Sequence, residues 1–403
     1  MALKVSVGDF RIGDKEKAAV MDILNTGRIS EGRKVWAFEQ KWAEFIGTKY
    51  AVAVNSGTSA LIVAFLAAIH MGMLKKGSKV ITTPTSYIAT TNAIVHAGLE
   101  PVFVDIDPFT FGINLDKVKE LLQNSKPGEY AAILPVHLMG YPCDIDAVSK
   151  LCKEYNLHLF EDAAQAHGTL YKGKCVGSFG VFGAFSFYIA HNIQAGELGA
   201  VTTNDKELYR LMKKLKANGR MCDCDICTRH TGYCKYAAQN LDLEEDYDPR
   251  FLHDMQGYNF KTMEFPAALA LAQIDSVEEI IKKRQENVLF LNKRLAKFSD
   301  FLQLPVHSET VSYLTYPLVL KPNSKISRKV LRQELEKRGV ETRSMFASIP
   351  TQQPAYLYLK KEYEGKLPNA EYLGKNAFYI GCHQYLTGQD LDYVVKCFEE
   401  ILN

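Results

Sequence analysis

The sequence predicts an α/β protein, with a large domain on a mainly parallel, mixed sheet and a smaller C-terminal α+β domain. Three observations predict it. Short apolar, β-rich runs alternate with helically spaced runs from about residue 50 to 205, the pattern of a sheet with crossover helices. Two of the runs, "LFED" and "FSFYIAHN", end in polar residues. In open sheets of this kind, ligands lie beyond the carboxyl ends of the strands. A long helical segment, Phe265 to Phe298, then leads into a second unit.

The elements follow in order. "YAVAV" (50–54), "KVITTP" (79–84), "PVFVDI" (101–106), "AAILPVH" (131–137) and "LHLFED" (157–162) read as buried strands, and "GAFSFY" and "GAVTTN" as two more. "TSALIVAFLAAIHMG", "ATTNAIVHAG", "NLDKVKELLQ" and "IDAVSKLCKEY" have helical spacing. The domain change is placed at 277/278, giving a large domain over 1–277 and a small one over 278–403. Residues 219 to 257, rich in Cys, Asp and Tyr, depart from regular patterning and read as an inserted loop.

Composition narrows the class. The chain has 403 residues, 47% apolar and 23% charged, as in an ordinary soluble globule. A net charge of +2 argues against nucleic acid or a membrane surface as an electrostatic partner. The charged N-terminus has no signal-peptide core, and the most apolar run, Ala60 to Ala68, is too short for a bilayer. Nine cysteines without an export signal favour reduced thiols, a cytoplasmic location and a metal site over disulfides.

Five tracts carry candidate chemistry. "NSGTSAL" (55–61) joins a strand to an apolar helix. Thr58, Ser59 and the free N–H groups of the helix start suit a phosphate, although a plain N-cap has the same pattern. "FEDAAQAHG" (160–168) ends a strand in two acids. Asp162 is the candidate partner of a protonated ring nitrogen and Gln165 of a ring hydroxyl, the alternative being a solvated acidic pair. Tyr87 can lie flat on a cofactor ring or belong to the core. His191, after "GAFSFY", can take and return a proton near neutrality but cannot form a Schiff base, unlike a lysine. It can equally be a hydrogen-bonded structural residue. Cys222, Cys224, Cys227 and Cys234, spaced C-x-C-x2-C-x6-C, can ligate zinc or an iron–sulfur cluster, or be free thiols.

Together these tracts resemble the sugar aminotransferase family of fold-type I pyridoxal-phosphate proteins, over nearly the whole chain. The segments that carry the resemblance are "FEQKWAEFIGTKYAVAVNSGTSAL", "PVHLMGYPCDID", "EDAAQAHGT", "GSFGVFGAFSF", "GELGAVTTND" and "GYNFKTMEFPAALALAQ". The resemblance implies phosphate contacts from Thr58, Ser59 and Ser186, ring stacking by Tyr87 and ring contacts by Asp162 and Gln165. It also implies a homodimer in which Asn259 reaches the neighbouring subunit's phosphate. Where the family has its Schiff-base lysine, this chain has His191.

That replacement resembles the branch of pyridoxamine-phosphate-dependent 3-dehydrases of nucleotide-linked 4-keto-6-deoxyhexoses. The resemblance implies that His191 removes a proton from the cofactor methylene and then protonates the departing C3 hydroxyl. One type in this branch, the colitose type, is metal-free. Another, acting on CDP-sugars, carries a 2Fe–2S cluster fed by a separate reductase, and the cysteine loop is similar to that type. Ala163 and Ala164 stand where it takes one ligand, so Cys227 is the candidate replacement. The expected activity is therefore C3 dehydration with an iron–sulfur relay. The alternatives are a metal-free dehydratase and a non-catalytic binding or regulatory relative.

Overall fold

The computed structural model describes residues 3–227 and 251–403. Ten strands belong to the large unit. They are β1 (Tyr50–Val54), β2 (Lys79–Thr82), β3 (Glu100–Phe103), β4 (Tyr130–Leu134), β5 (His158–Leu159), β6 (Glu161–Asp162), β7 (Leu170–Tyr171), β8 (Lys174–Cys175), β9 (Gly183–Ser186) and β10 (Gly199–Thr203). One parallel sheet has the order β3-β2-β4-β5, and a second sheet has the order β1-β10-β9-β6. The two are continuous. Val136 bridges Asp162 in parallel, His137 N–H donates to Asp162 O, and Asp162 N–H donates to Pro135 O, both at 3.0 Å. Within this continuous sheet of the described residues β10 alone runs against the rest, while β7 and β8 form a separate antiparallel pair. The carboxyl ends of β1, β2, β4, β6 and β9 therefore share one edge.

Strand parity explains the layers. Val52, Val54, Ala184 and Val201 face a cluster with Leu61, Phe65 and Leu208 on one side. Ala51, Ala53, Phe185 and Ala200 face Val35, Phe38 and Trp42 on the other. Both faces are covered, so these strands read as continuous apolar runs. The helix Gly57–His70 lies inside the first layer and is apolar nearly all round.

The smaller sheet, with order β11-β12-β14-β13, is antiparallel and comprises β11 (Leu302–Gln303), β12 (Tyr316–Leu320), β13 (Arg343–Ser344) and β14 (Ala377–Ile380). Leu331, Leu335, Leu391, Val394 and Phe398 from helices Arg328–Lys337 and Gly388–Leu402 pack in its core. The N-terminal stretch joins this unit, since Val5 bridges Val340. No helix of the described residues is long and apolar enough to cross a membrane.

One expectation is corrected. The segment 265–298 is two helices, Glu264–Ile274 and Val277–Leu295, followed by a 3-10 turn at Ala296–Phe298. The break falls at Asp275–Ser276, residue types that favour caps over helix interiors. The 277/278 boundary falls in the first turn of the second helix.

Candidate active site

The shared strand edge gathers the tracts singled out in the sequence. Asp162 ends β6 and pairs with Ala184 of the neighbouring β9, Ser186 ends β9 two residues further on, and Asn55 to Gly57 follow β1. The three strands run in the same direction, and Gly199 of β10 lies between the last two, paired with both Ser186 and Val54. A Cβ on Gly199 would stand 2.1 Å from Ser56 O, so the turn after β1 can approach only a glycine there.

The two acids of "FED" have separate roles. Glu161 is fully buried and saturated. Its Oε1 accepts the amides of Phe179 and Gly180 at 2.8 Å each, and its Oε2 accepts the Gly177 amide at 2.7 Å and lies 3.1 Å from His137 Nε2. It holds the loop before β9. Asp162 is 3% exposed. Its Oδ2 accepts the Thr90 hydroxyl at 2.6 Å and its Oδ1 the Ala164 amide at 3.2 Å. No lysine or arginine of the described residues pairs with it. Burial therefore holds this carboxyl above the usual carboxylate range, against the pull of its hydrogen bonds. The His137 ring, whose own pKa is raised to about 10, also favours the charged carboxylate, yet burial outweighs it, so a cationic ring nitrogen supplied from outside would find an acid that is only partly compensated. Gln165, three residues on, is buried and uses Oε1 to accept the Met139 amide at 3.0 Å. That choice leaves its NH2 as the donor end.

The helix start at Gly57 forms an anion cradle. Ser56 caps it, accepting the Ser59 amide at 3.1 Å, and the Ser56 and Ser59 hydroxyls are 3.0 Å apart. Ser186 lies directly against it. A Cβ on Gly57 would come within 2.5 Å of Ser186 Cβ. Thr58 is half-buried on the first turn. Asn259 is exposed beside this end of the sheet. It bridges Ala217, and its neighbour Phe260 accepts the Asn55 amide at 2.9 Å. Tyr87 is 59% exposed and sets its ring edge-on to Phe346 at 6.0 Å. It lies just before the helix Ala89–His96, and the Thr90 amide donates to its carbonyl at 3.2 Å, so one turn links the candidate stacking residue to the Asp162 carboxyl.

His191 sits in the turn after β9. Its amide donates to Tyr188 O at 2.8 Å. Nδ1 is buried without a hydrogen-bond partner, while the residue as a whole keeps partial solvent access. Burial is the main cause that lowers its pKa to about 4. The Arg284 guanidinium adds to the shift, and a backbone contact at Tyr188 opposes it. At neutral pH the ring is uncharged and able to accept a proton. Arg284 is itself 1% exposed and donates to Tyr313 O, Leu314 O and Gln384 Oε1.

The base of the cysteine loop is ordered by pairing of its two ends. Met221 N–H donates to Leu252 O at 2.9 Å, and Arg220 bridges His253. The helix Lys206–Leu215 holds it through Arg210–Asp223, Lys213–Asp225 and Tyr209–Asp225. Cys222 and Cys224 are half-buried and Cys227 is exposed. Cys234 lies outside the described residues. Among the described residues, no three His, Cys, Asp or Glu side chains come together as a metal site. Sequence reasoning missed Thr90, Glu161 and Arg284. Of these, only Thr90, three residues after Tyr87 at the start of the helix Ala89–His96, had a readable spacing.

A model of the DegT/DnrJ/EryC1/StrS aminotransferase family matches residues 11–399. The chain is 34% identical over 395 residues to the lipopolysaccharide biosynthesis protein RfbH of Salmonella typhimurium, covering 96% of this chain and 90% of that one. It is 30% identical over 386 residues to the GDP-4-keto-6-deoxy-D-mannose 3-dehydratase of Escherichia coli O55:H7, covering 94% and 96%. The solved E. coli GDP-4-keto-6-deoxy-D-mannose-3-dehydratase with bound hydrated PLP superposes with a TM-score of 0.86 at 25% identity, over 98% of this chain and 100% of that one. Helicobacter pylori PseC, an aminotransferase involved in pseudaminic acid biosynthesis, superposes with a TM-score of 0.85 at 26% identity, over 99% of both chains. The chain thus has the fold-type I architecture and belongs to the DegT/DnrJ/EryC1/StrS aminotransferase family.

Proposed function

We propose that this protein is a pyridoxamine-phosphate-dependent enzyme that removes the C3 hydroxyl of a nucleotide-linked 4-keto-6-deoxyhexose. The observation that carries the proposal is His191, an uncharged and partly accessible base in the turn after β9, where the resemblance expects a Schiff-base lysine. The buried Asp162, with no lysine or arginine partner among the described residues, and the Gly57–Ser186 cradle support the cofactor. Thr58, Ser59 and Ser186 would hold its phosphate, Asp162 its ring nitrogen, Gln165 its phenolic oxygen and Tyr87 its face. When bound, the cofactor supplies the amine that engages the ketone and the ring that accepts electrons. His191 takes a proton beside the ring and gives one to the departing C3 oxygen. One group serves both steps.

The active form in this reading is a homodimer, with Asn259 of the partner subunit completing the phosphate site. Large apolar side chains at Met21 and Leu24 of the N-terminal helix Asp14–Thr26, at Ile29 after it, and at Met263, which bridges Ser30, are each about half exposed. Such exposure suits burial against a second copy. Cys222, Cys224, Cys227 and Cys234 would hold a 2Fe–2S cluster that relays electrons from a separate reductase. Soft thiolate donors on an anchored loop base support that assignment. The competing reading is transamination at C4, which the likeness to aminotransferases favours and His191 disfavours. Incubation with pyridoxamine phosphate and a GDP-, dTDP- or CDP-linked 4-keto-6-deoxyhexose, read by mass spectrometry, separates them. Loss of the C3 oxygen supports the proposal. A 4-amino sugar that retains the C3 hydroxyl overturns it.

A further inference from the structure

The turn that carries His191 is pinned at three successive residues by three elements. Asn192 Nδ2 donates to Ser312 O at 2.8 Å, Ile193 N–H to His167 Nδ1 at 3.3 Å, and Gln194 N–H to Gln273 Oε1 at 3.0 Å. The His167 anchor differs from the other two because its ring also stacks on the ring of His191. The centroids are 5.9 Å apart and the planes 29° from parallel. His167 is completely buried. Trp42 lies edge-on to it at 5.2 Å, and Phe187 and Phe185 lie at 4.7 and 6.1 Å. Because Nδ1 accepts the Ile193 amide, the ring proton is on Nε2. Burial, and secondly the neighbouring His191, hold its pKa well below the ordinary value, so this ring stays uncharged.

We propose that His167 is a positioning residue for His191, fixing the backbone of its turn through Ile193 and its ring plane through stacking, and keeping water from its buried side. The proposal rests on the assignment of His191 as the base. It explains why a histidine stands inside an aromatic cage. A phenylalanine would stack but leave the Ile193 amide unpaired, and an asparagine would accept that amide but leave the ring of His191 unsupported. The charged group that faces His191 is Arg284, from the helix Val277–Leu295. From its own turn the Tyr188 ring lies 6.4 Å away, edge-on. Neither changes in the variants below.

The test uses full-length protein loaded with pyridoxamine phosphate, His167→Asn and His167→Phe variants, and two readouts. NMR titration of the His191 ring gives its pKa, and solvent exchange of the cofactor methylene protons gives the rate across pH. In His167→Asn the turn bond persists but the buried side of His191 opens to water. Its pKa rises from about 4 towards the ordinary value by about one unit or more, and the acid limb of exchange moves with it. In His167→Phe the packing persists and the pKa moves by less than about half a unit. Plateau exchange falls about tenfold or more, with cofactor affinity held within about threefold, as misplacement of a base predicts. An unmoved His191 pKa in His167→Asn together with wild-type exchange in His167→Phe overturns the proposal. So does loss of cofactor binding in both variants, which marks a purely structural role. If His191→Asn itself exchanges at the wild-type rate, the base assignment has failed and the kinetic half of the proposal falls with it. The NMR titration still decides whether His167 governs the ionisation of His191.

Discussion

Replacing Asp162 by asparagine should have opposite effects on the empty and the loaded protein. The side chain is 3% exposed and accepts two hydrogen bonds, from Thr90 and Ala164. Asparagine has the same shape. The Thr90 hydroxyl also lies 2.6 Å from Ser86 Oγ, so it can turn to donate there and accept from the new amide. Both contacts survive, and only the charge is lost. Without cofactor that charge is a burden. Because burial raises the carboxyl pKa above its unfolded value, the stability it contributes is present below about pH 4 and is lost as pH rises through the raised value. Cofactor-free Asp162→Asn should therefore melt at or above wild type at pH 8, with the gap closing towards pH 4. With cofactor the sign reverses. A hydrogen bond to a charged group is worth about 1.5–3 kcal/mol, which predicts affinity weakened about 10–150-fold. Thermal melts across pH and absorbance titration with pyridoxamine phosphate read both effects. Wild-type affinity in the variant, or a cofactor-free form destabilised by more than about 2 kcal/mol, the scale of a lost buried contact, refutes the reasoning.

Three further outcomes are expected. Gly57→Ala places a methyl 2.5 Å from Ser186 Cβ; strain of about 1–3 kcal/mol should appear as a lower melting temperature and weaker phosphate-dependent cofactor binding, and an unchanged binding isotherm would remove Ser186 from the cradle. Borohydride treatment of protein loaded with pyridoxal phosphate, followed by denaturation, should leave no cofactor on the His191 peptide, whereas stable label there would contradict non-covalent binding. Protein purified without oxygen should be brown with about two irons per chain, and Cys227→Ser should lose the iron but keep cofactor binding; zinc in place of iron, or an intact cluster in that variant, would overturn the four-cysteine assignment.

The sheet was legible because its strands are buried on both faces, which leaves a continuous apolar run at Tyr50–Val54 and a β-branched one at Gly199–Thr203, whose buried threonine hydroxyls donate to backbone carbonyls. Polar residues after two of the strand runs marked the site edge and singled out Asp162 and His191, whereas Ser186 came only from the family resemblance. What holds these groups in place was not legible. The Thr90–Asp162 bond joins residues 72 apart, and the Gln194–Gln273 bond residues 79 apart. Neither leaves a local pattern. The two acids at 161–162 look alike in sequence. Only the fold turns Glu161 towards the amides of Gly177, Phe179 and Gly180 and leaves Asp162 at the edge. The helix break at Asp275–Ser276 was hidden for a related reason, since the apolar spacing continues on both sides while Gln273 turns to meet Gln194.

The measurement closest to the central claim is deuterium exchange at the methylene of bound pyridoxamine phosphate, in the presence of the 4-keto sugar, comparing wild type with His191→Asn. If His191 is the base, wild-type exchange should hold its plateau well below the ordinary imidazole value of about 6.5, with an acid limb near the lowered pKa of about 4. The variant should keep the cofactor and exchange about 10²–10⁴-fold more slowly, the scale of a lost general base. Exchange in His191→Asn at the wild-type rate, with the same pH profile, would contradict the account.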